Sequence, residues 1–321
     1  MQILVTGGSG FVGSHLCERL IIEGHTVTAL DLGTTGKLKN LESILDNPKF
    51  KLVSGSILDQ DLLQGLIQHT DYIFHAAAAV GVFNIVNDTL ASMITNINGT
   101  ENVLNLAHEF KKPVFITSSS EIYGKNTSDS LSEDSDRILG SPLTLRWSYS
   151  ESKAIVESLA YAYHVEKGSD IRIVRFFNAV GPRQLGAYGM VLPRFVKSAL
   201  INEPITIYGG GIQTRCFTHI YDVIDAVILV AFSKNTNGKV FNIGNPVETS
   251  IRDLAERVVR ITKSSSEIVY QPYQEAYGDG FEDMQRRVPN IDAIMKLLDW
   301  APKRNLDEII TDISDEMKRS F

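Results

Sequence analysis

Thr6-Gly7-Gly8-Ser9-Gly10-Phe11-Val12-Gly13 joins an apolar run, Gln2–Thr6, to a segment of helical spacing, Gly10–Glu23, whose Phe11, Leu16, Leu20 and Ile21 are candidate core positions. Glycines at 7, 10 and 13 permit a tight turn and let the backbone approach a pyrophosphate. The helix beyond offers free N–H groups and the positive end of its dipole. Such a triplet also suits an ordinary turn, so a second signal matters. Asp31 supplies it at the end of the next strand-like segment, Thr26–Leu30. A carboxylate there accepts hydrogen bonds from both ribose hydroxyls of NAD and repels the 2′-phosphate of NADP. No Lys or Arg stands beside it before Lys37. The stretch therefore reads as a dinucleotide site that takes NAD.

Working outward, Lys51–Val53, Tyr72–His75, Val114–Thr117 and Ile171–Phe176 read as strands, and Thr95–Glu109 and Tyr149–Glu166 as helices. Strands alternating with helices across short connections imply a parallel sheet covered on both faces. Gly124–Leu145 is rich in Ser, Asp, Gly and Pro and reads as a loop or flap. In the second half, Val191–Asn202, Val223–Phe232, Ile251–Ile261 and Ile291–Leu298 look helical and Lys239–Ile243 looks like a strand. The expected fold is α/β. A Rossmann-type doubly wound parallel sheet occupies residues 1–175, with part of 213–243 returning to it. A smaller interleaved α/β substrate domain occupies mainly 176–321.

The 321 residues are 43% apolar and 21% charged, which suits a soluble globular chain. A net charge of −7 excludes a chain held to nucleic acid by bulk charge. No apolar run nears the ~20 residues that span a bilayer. Two cysteines are too few for a disulfide framework. The N-terminus enters a strand with no basic leader, so the expected location is the cytoplasm. The seven histidines lack ligand spacing, and no metal is expected. His75 is expected to line the nicotinamide or adenosine pocket, and Cys216 to be a buried thiol.

Tyr149-Ser150-Glu151-Ser152-Lys153 lies in a strong helical segment, and i, i+4 spacing puts Tyr149 and Lys153 on one face. An ammonium near a phenol favours the phenolate and makes a general base. Tyr-x-x-x-Lys alone is common on helix surfaces; after a glycine turn and the serine-rich strand end Phe115–Gly124 it carries weight. Hydroxyls at the carboxyl end of a parallel strand point into the crevice where open α/β sheets bind ligands.

These pieces, with His75-Ala76-Ala77-Ala78, Asn96, Gly99-Thr100 and Arg175-Phe176-Phe177-Asn178-Ala179-Val180-Gly181-Pro182-Arg183, resemble the extended short-chain dehydrogenase/reductases that act on nucleotide sugars. The resemblance places Gly7, Gly10, Phe11, Val12, Gly13, Asp31, Ser56, Ile57, Ala76, Ala77, Ala78, Asn96, Thr117, Ser118, Tyr149 and Lys153 around NAD. Ser56 stands where the family usually has an acidic residue for the adenine. The resemblance makes Tyr149 the base at the sugar 4-hydroxyl, Lys153 the holder of the nicotinamide ribose, and Ser119 a hydrogen-bond partner of the oxygen at C4. It also implies a homodimer built on the helix holding Tyr149 and the one before it. Ile155, Leu159 and Tyr163 suit that interface and equally suit an internal core.

Three reactions share a 4-keto sugar. A 4,6-dehydratase has Asp after its catalytic Ser/Thr, and here Ser120 stands there. Ser119-Ser120-Glu121-Ile122-Tyr123-Gly124, Arg146-Trp147-Ser148-Tyr149, Arg215-Cys216-Phe217-Thr218, Asn242–Pro246 and the run from Tyr277 through Asp283, Arg287 and Pro289 to Pro302 resemble the bacterial UDP-glucuronate decarboxylases. That resemblance gives Ser120, Glu121 and Arg287 the handling of a uronate carboxylate and proton delivery to C5, and links Arg183 to the uronate or to gating by the flap. Arg287 also suits a diphosphate ligand, and Glu121 a cap on the flap. A UDP-sugar would further meet Asn178, Val191, Leu192, Arg194, Tyr208, Gln213 and Arg215, although Gly209–Gly211 also suits a hairpin turn. Decarboxylation of a UDP-hexuronate leads, with a UDP-sugar 4-epimerase as the alternative. A silent NAD-binding regulator is the third reading.

Overall fold

The apolar run before the glycine turn forms strand β1, Gln2–Thr6, at the centre of a parallel sheet. Its neighbours in the chain are β2 (Thr26–Asp31), β3 (Phe50–Ser54), β4 (Tyr72–His75), β5 (Val114–Ser119) and β6 (Ile171–Phe176). The computed structural model describes every residue except 35, 81–87, 187–189, 273, 276–283 and 320–321. The Tyr277–Asp283 stretch thus lies outside the described residues. Shorter strands follow: β7 (Ala179–Val180), β8 (Ile205–Tyr208), β9 (Thr214–Cys216) and β10 (Thr218–His219). The last three are β11 (Lys239–Ile243), β12 (Glu248–Ser250) and β13 (Ile268–Gln271). The sheet order is β11-β6-β5-β4-β1-β2-β3, and β11 pairs in parallel with β6. Three two-stranded pairs, β7 with β10, β9 with β12 and β8 with β13, complete the second half.

Strand alternation sorts the core onto two faces. Ile3, Val5, Phe74 and Val174 face helices α1 (Phe11–Ile22) and Ile220–Phe232. Leu4, Ile73, Ile116 and Ile173 face helices α2 (Gln60–Ile67), α3 (Thr89–Glu109) and α4 (Ser148–Lys167). Burial on both faces explains why these strands are almost continuously apolar. A third core joins helices α5 (Val191–Leu200), α7 (Ile251–Thr262) and α9 (Leu306–Lys318) to β8, with α6 being Ile220–Phe232 and α8 Asp292–Leu298. Helix α3 begins at Thr89, six residues ahead of the segment expected from spacing. Gly124–Leu145 carries two isolated bridges, Gly124 with Ile138 and Leu131 with Pro289, and ends at a short 3-10 turn, Leu145–Trp147.

The strand order reverses between β1 and β4, whose register pairs Thr6 with His75. The chain leaves both strands at the same edge, so the glycine turn and Ala76–Ala78 face each other across a crevice.

Candidate active site

The crevice opens into a cavity of about 650 Å³. Gly7, Gly10, Phe11, Val12 and Gly13 form one wall, Asp31, Ser56 and Ile57 one end, and Ala76, Ala77, Ala78, Thr117 and Ser118 the other wall. Tyr149 and Lys153 close it. The fit to a dinucleotide is steric. Gly7 has φ +72°, and a Cβ there would lie 2.7 Å from the Ala77 nitrogen. A Cβ on Gly13 would collide with the Gly7 carbonyl oxygen, which is backbone and cannot swing away. Gly10 caps α1 with no side chain, so the helix end is open to an anion. Asp31 braces the turn by accepting from the Ser9 N–H at 2.9 Å and the Gly33 N–H at 2.8 Å. The buried Ser118 hydroxyl on the cavity wall has no protein partner. NAD would therefore lie along this wall. Gly13→Ala is expected to leave purified protein free of NAD and to lower Tm by several degrees, read from absorbance of the released nucleotide and a melting scan.

Tyr149 lies in the first turn of α4 and hydrogen-bonds Ser119, which ends β5. Burial raises the phenol well above its ordinary value, and the Glu121 charge adds to this; Ser119 and Arg287 pull the other way. Lys153 donates to the Thr117 carbonyl at 2.9 Å, and its nitrogen lies 6.0 Å from the Tyr149 ring centre. Burial lowers Lys153 to about 8. The lowering of Tyr149 expected from Lys153 is absent from this geometry, because the ammonium is turned to the strand carbonyl and desolvation dominates.

On the other side of Tyr149 lies a cluster of charges. Glu121, on the short 3-10 turn Ser120–Tyr123, accepts from Arg287 at 2.5 Å and from Arg146 at 2.8 Å. All three side chains are buried or nearly so. Burial alone would raise the Glu121 carboxyl, yet the two guanidiniums outweigh it and hold the group well below the usual carboxylate range. Arg287 also donates to the Asn178 side-chain oxygen at 2.8 Å, and its buried Nε has no protein partner. Asn178, with φ 39°, donates in turn to the Cys216 carbonyl at 2.8 Å. The hydroxyl–phenol–ammonium set thus lies between a dinucleotide cavity and a two-arginine anion site.

Residues 3–244 match the NAD dependent epimerase/dehydratase family. The chain belongs to that family. It is accordingly an NAD-dependent enzyme. The chain is 39% identical over 302 residues to a UDP-N-acetyl-alpha-D-glucosaminuronate decarboxylase of Bacillus cytotoxicus, covering 94% of this chain and 92% of that one. It is 34% identical to UDP-glucuronic acid decarboxylase 1 of Xenopus tropicalis, covering 96% of this chain and 70% of that protein. Among solved structures, the UDP-glucuronic acid 4-epimerase of Bacillus cereus superposes over the whole of both chains with a TM-score of 0.90 at 30% identity.

In this family member the remaining sequence-derived residues fall into separate groups. Arg183 lines the cavity but is held by Glu18 of α1 at 2.7 Å, while its backbone N–H donates to Glu316 of α9. Arg194 stacks on Tyr208, its guanidinium 4.2 Å from the ring centre, and Gln213 donates to the Tyr208 carbonyl. Arg215 is buried on β9 and donates to the Thr214 carbonyl. Val191 packs against the third core and Leu192 is wholly buried in it. Ser120 is buried at the start of the Glu121 turn. The Gly209–Gly211 turn follows β8, whose partner β13 is parallel, so no hairpin forms there.

Asn96 exchanges two hydrogen bonds with the backbone of Ala79, a residue of the cavity wall. One expectation is corrected. His75 is buried between Thr6 and Thr100, 2.8 and 2.9 Å away, and desolvation lowers it to about 3, so it stays neutral. Sequence reasoning missed Arg146 as a site residue. Its signal was the Arg146–Tyr149 match, which puts a basic residue one turn before the catalytic helix. Among the described residues no cluster of His, Cys, Asp or Glu could hold a metal ion, and no helix is long and apolar enough to cross a membrane. Cys17 and Cys216 are free and buried.

Proposed function

We propose that this enzyme decarboxylates a UDP-hexuronate through a 4-keto intermediate. The observation that carries the reading is Arg287, a buried guanidinium placed between Asn178 and the Ser119–Glu121 turn. A uronate differs from a neutral hexose by one carboxylate, and that charge needs such a partner. Bound NAD would take a hydride from C4 and later return it, so no net redox results. Tyr149 gives up its resting phenolic proton to water once sugar and cofactor are in place, then accepts the C4 hydroxyl proton at its phenolic oxygen, and Ser119 holds the oxygen left at C4. Lys153 holds the nicotinamide ribose and adds positive charge.

The ketone makes the sugar a β-keto acid. The C5–C6 bond breaks, CO2 leaves, its electron pair passes to the C4 enolate, and C5 takes a proton. At rest Glu121 is ionised and cannot supply that proton. Once Arg287 turns to the substrate carboxylate, Glu121 keeps only Arg146 and gains a negative neighbour. Both changes raise its proton affinity, so that it takes up a proton from water and delivers it at C5. Residues 1–175 with part of 213–243 serve the cofactor, and mainly 176–321, with Arg194, Tyr208, Gln213 and Arg215, serve the UDP moiety.

We further assign a cytoplasmic homodimer built on α3 and α4, which pack together. Leu90, Ile94, Ile155 and Val165 on these helices are exposed, whereas Leu159 and Tyr163 pack against the sheet core. Reduced surroundings suit the two free thiols.

The test is incubation with UDP-glucuronate and, separately, UDP-N-acetylglucosaminuronate, following CO2 and the sugar by NMR. The expected products are CO2 and the corresponding UDP-pentose. UDP-galacturonate without CO2 would overturn decarboxylation in favour of C4 epimerisation, the reading that the likeness to the Bacillus cereus epimerase supports. Bound NAD with no turnover would leave a regulator.

A further inference from the structure

Behind the catalytic residues lies a buried charged cluster that none of the steps above uses. Arg175 on β6 donates to both carboxylate oxygens of Glu157, at 3.0 Å from Nε and 2.7 Å from Nη2. Its Nη1 donates to the Tyr123 hydroxyl at 2.8 Å and the Glu133 carbonyl at 2.7 Å. Tyr123 donates onward to the Asn242 side chain of β11 at 2.7 Å. Asn242 returns a backbone bond to the Glu133 carboxylate and an amide bond to the Leu131 carbonyl. One arginine therefore ties together α4, the turn that carries Glu121, the flap and the sheet edge. Arg175, Glu157, Tyr123 and Asn242 are all buried.

The placement of Glu157 on α4 is specific. It lies four residues beyond Lys153 and eight beyond Tyr149, so the three share one helical face. We propose that Arg175 and Glu157 are a positioning pair: they lock the helix of Tyr149 and Lys153 to the turn of Ser119, Ser120 and Glu121, and Glu157 keeps a negative charge one helical turn from Lys153. The inference rests on the roles proposed above for Tyr149 and Lys153. The titratable and charged groups around Lys153 are His75 of β4, Tyr149 and Glu157 of α4, and Arg175 of β6 through Glu157. His75 is neutral. Burial lowers Lys153 and Glu157 opposes it. Removing the Glu157 charge therefore carries Lys153 further down, towards neutral pH, where the ammonium begins to be lost.

The experiment follows the Lys153 side-chain carbon by NMR against pH in the lysine-labelled full-length holoenzyme, together with kcat. In Glu157→Gln the Lys153 midpoint is expected to fall by about one pH unit, with the alkaline limb of kcat moving equally. An unchanged midpoint in the folded variant would overturn the charge role. Should Arg175, left buried without its partner, unfold that variant, Glu157→Gln with Arg175→Met removes both charges; because the cation that opposes Glu157 goes with it, a smaller fall is expected, and no fall at all would overturn the charge role. Tyr123→Phe keeps both charges and cuts the link to the turn. It is expected to lower kcat about tenfold with the Lys153 midpoint in place, and an unchanged kcat would overturn the locking role. The NMR titration reads Lys153 without turnover, so failure of the proposed reaction is seen separately.

Discussion

Tyr149→Phe is expected to lower kcat about a thousandfold, the upper range for loss of a positioned general base. The substitution removes one oxygen and keeps the ring in its place on α4. It deletes the hydrogen bond with Ser119, a net loss of about 1 kcal/mol. Tm should therefore change by only a few degrees, and NAD should remain bound, because the cavity wall from Gly7 to Gly13 is untouched. The resting phenol is protonated, since burial and Glu121 raise it. It can act as a base only when the reacting sugar and cofactor change its surroundings, so its loss should appear in turnover far more than in affinity. Steady-state rates with UDP-glucuronate, nucleotide content and a melting curve check this, and retained turnover would remove Tyr149 from the mechanism.

Arg287→Met is the second large effect. The guanidinium is the only described partner that joins Glu121 to Asn178. Its loss should lower kcat/KM for UDP-glucuronate by about a hundredfold to a thousandfold, the equivalent of a buried charge-assisted pair. Binding of neutral UDP-glucose should weaken less than tenfold, about 1.4 kcal/mol. Equal losses would make Arg287 a diphosphate ligand. The variant should also lose stability, up to about 3 kcal/mol, because Glu121 stays buried with Arg146 alone. The sign with pH follows. Arginine pairing depresses the folded-state value of Glu121, so its stabilisation is present above the unfolded value and is lost as pH falls through the folded one. The Tm gap between wild type and Arg287→Met should therefore be widest near neutrality and narrow below pH 4.5, the ordinary glutamate value.

The parts of this protein legible in its sequence are those whose partners are near in the chain. The glycine turn, Asp31 and the Tyr149/Lys153 pair depend on spacing within one turn or one strand–helix unit, and the structure places all of them on the cavity. The charge cluster depends on closure across distance. Arg146 meets Glu121 from across the flap, and Arg183 meets Glu18 from the far half of the chain. Nothing local records either meeting. His75 fails for another reason. Strand register sets it opposite Thr6, and two threonines consume both ring nitrogens before a ligand could.

Helix α9 is not among the segments that apolar spacing marks, although its start is readable. Asn305 and Glu308 form a capping box there, a polar signal that apolar periodicity does not register. Strands β8 and β13 are not marked in the sequence because each finds its parallel partner only across α6 and α7.

The position of β11 bears on how the chain is made. It forms the outer edge of the main sheet beside β6, yet it emerges from the ribosome only after β7–β10 and α6. Until then β6 presents an open row of backbone donors and acceptors, and until α6 itself emerges the α1 face of the sheet also lacks its apolar cover. Nascent chains at that stage carry both hazards of incomplete sheets, a free edge and exposed apolar surface. The cofactor half is thus finished late in synthesis, by residues that arrive after much of the other half has begun.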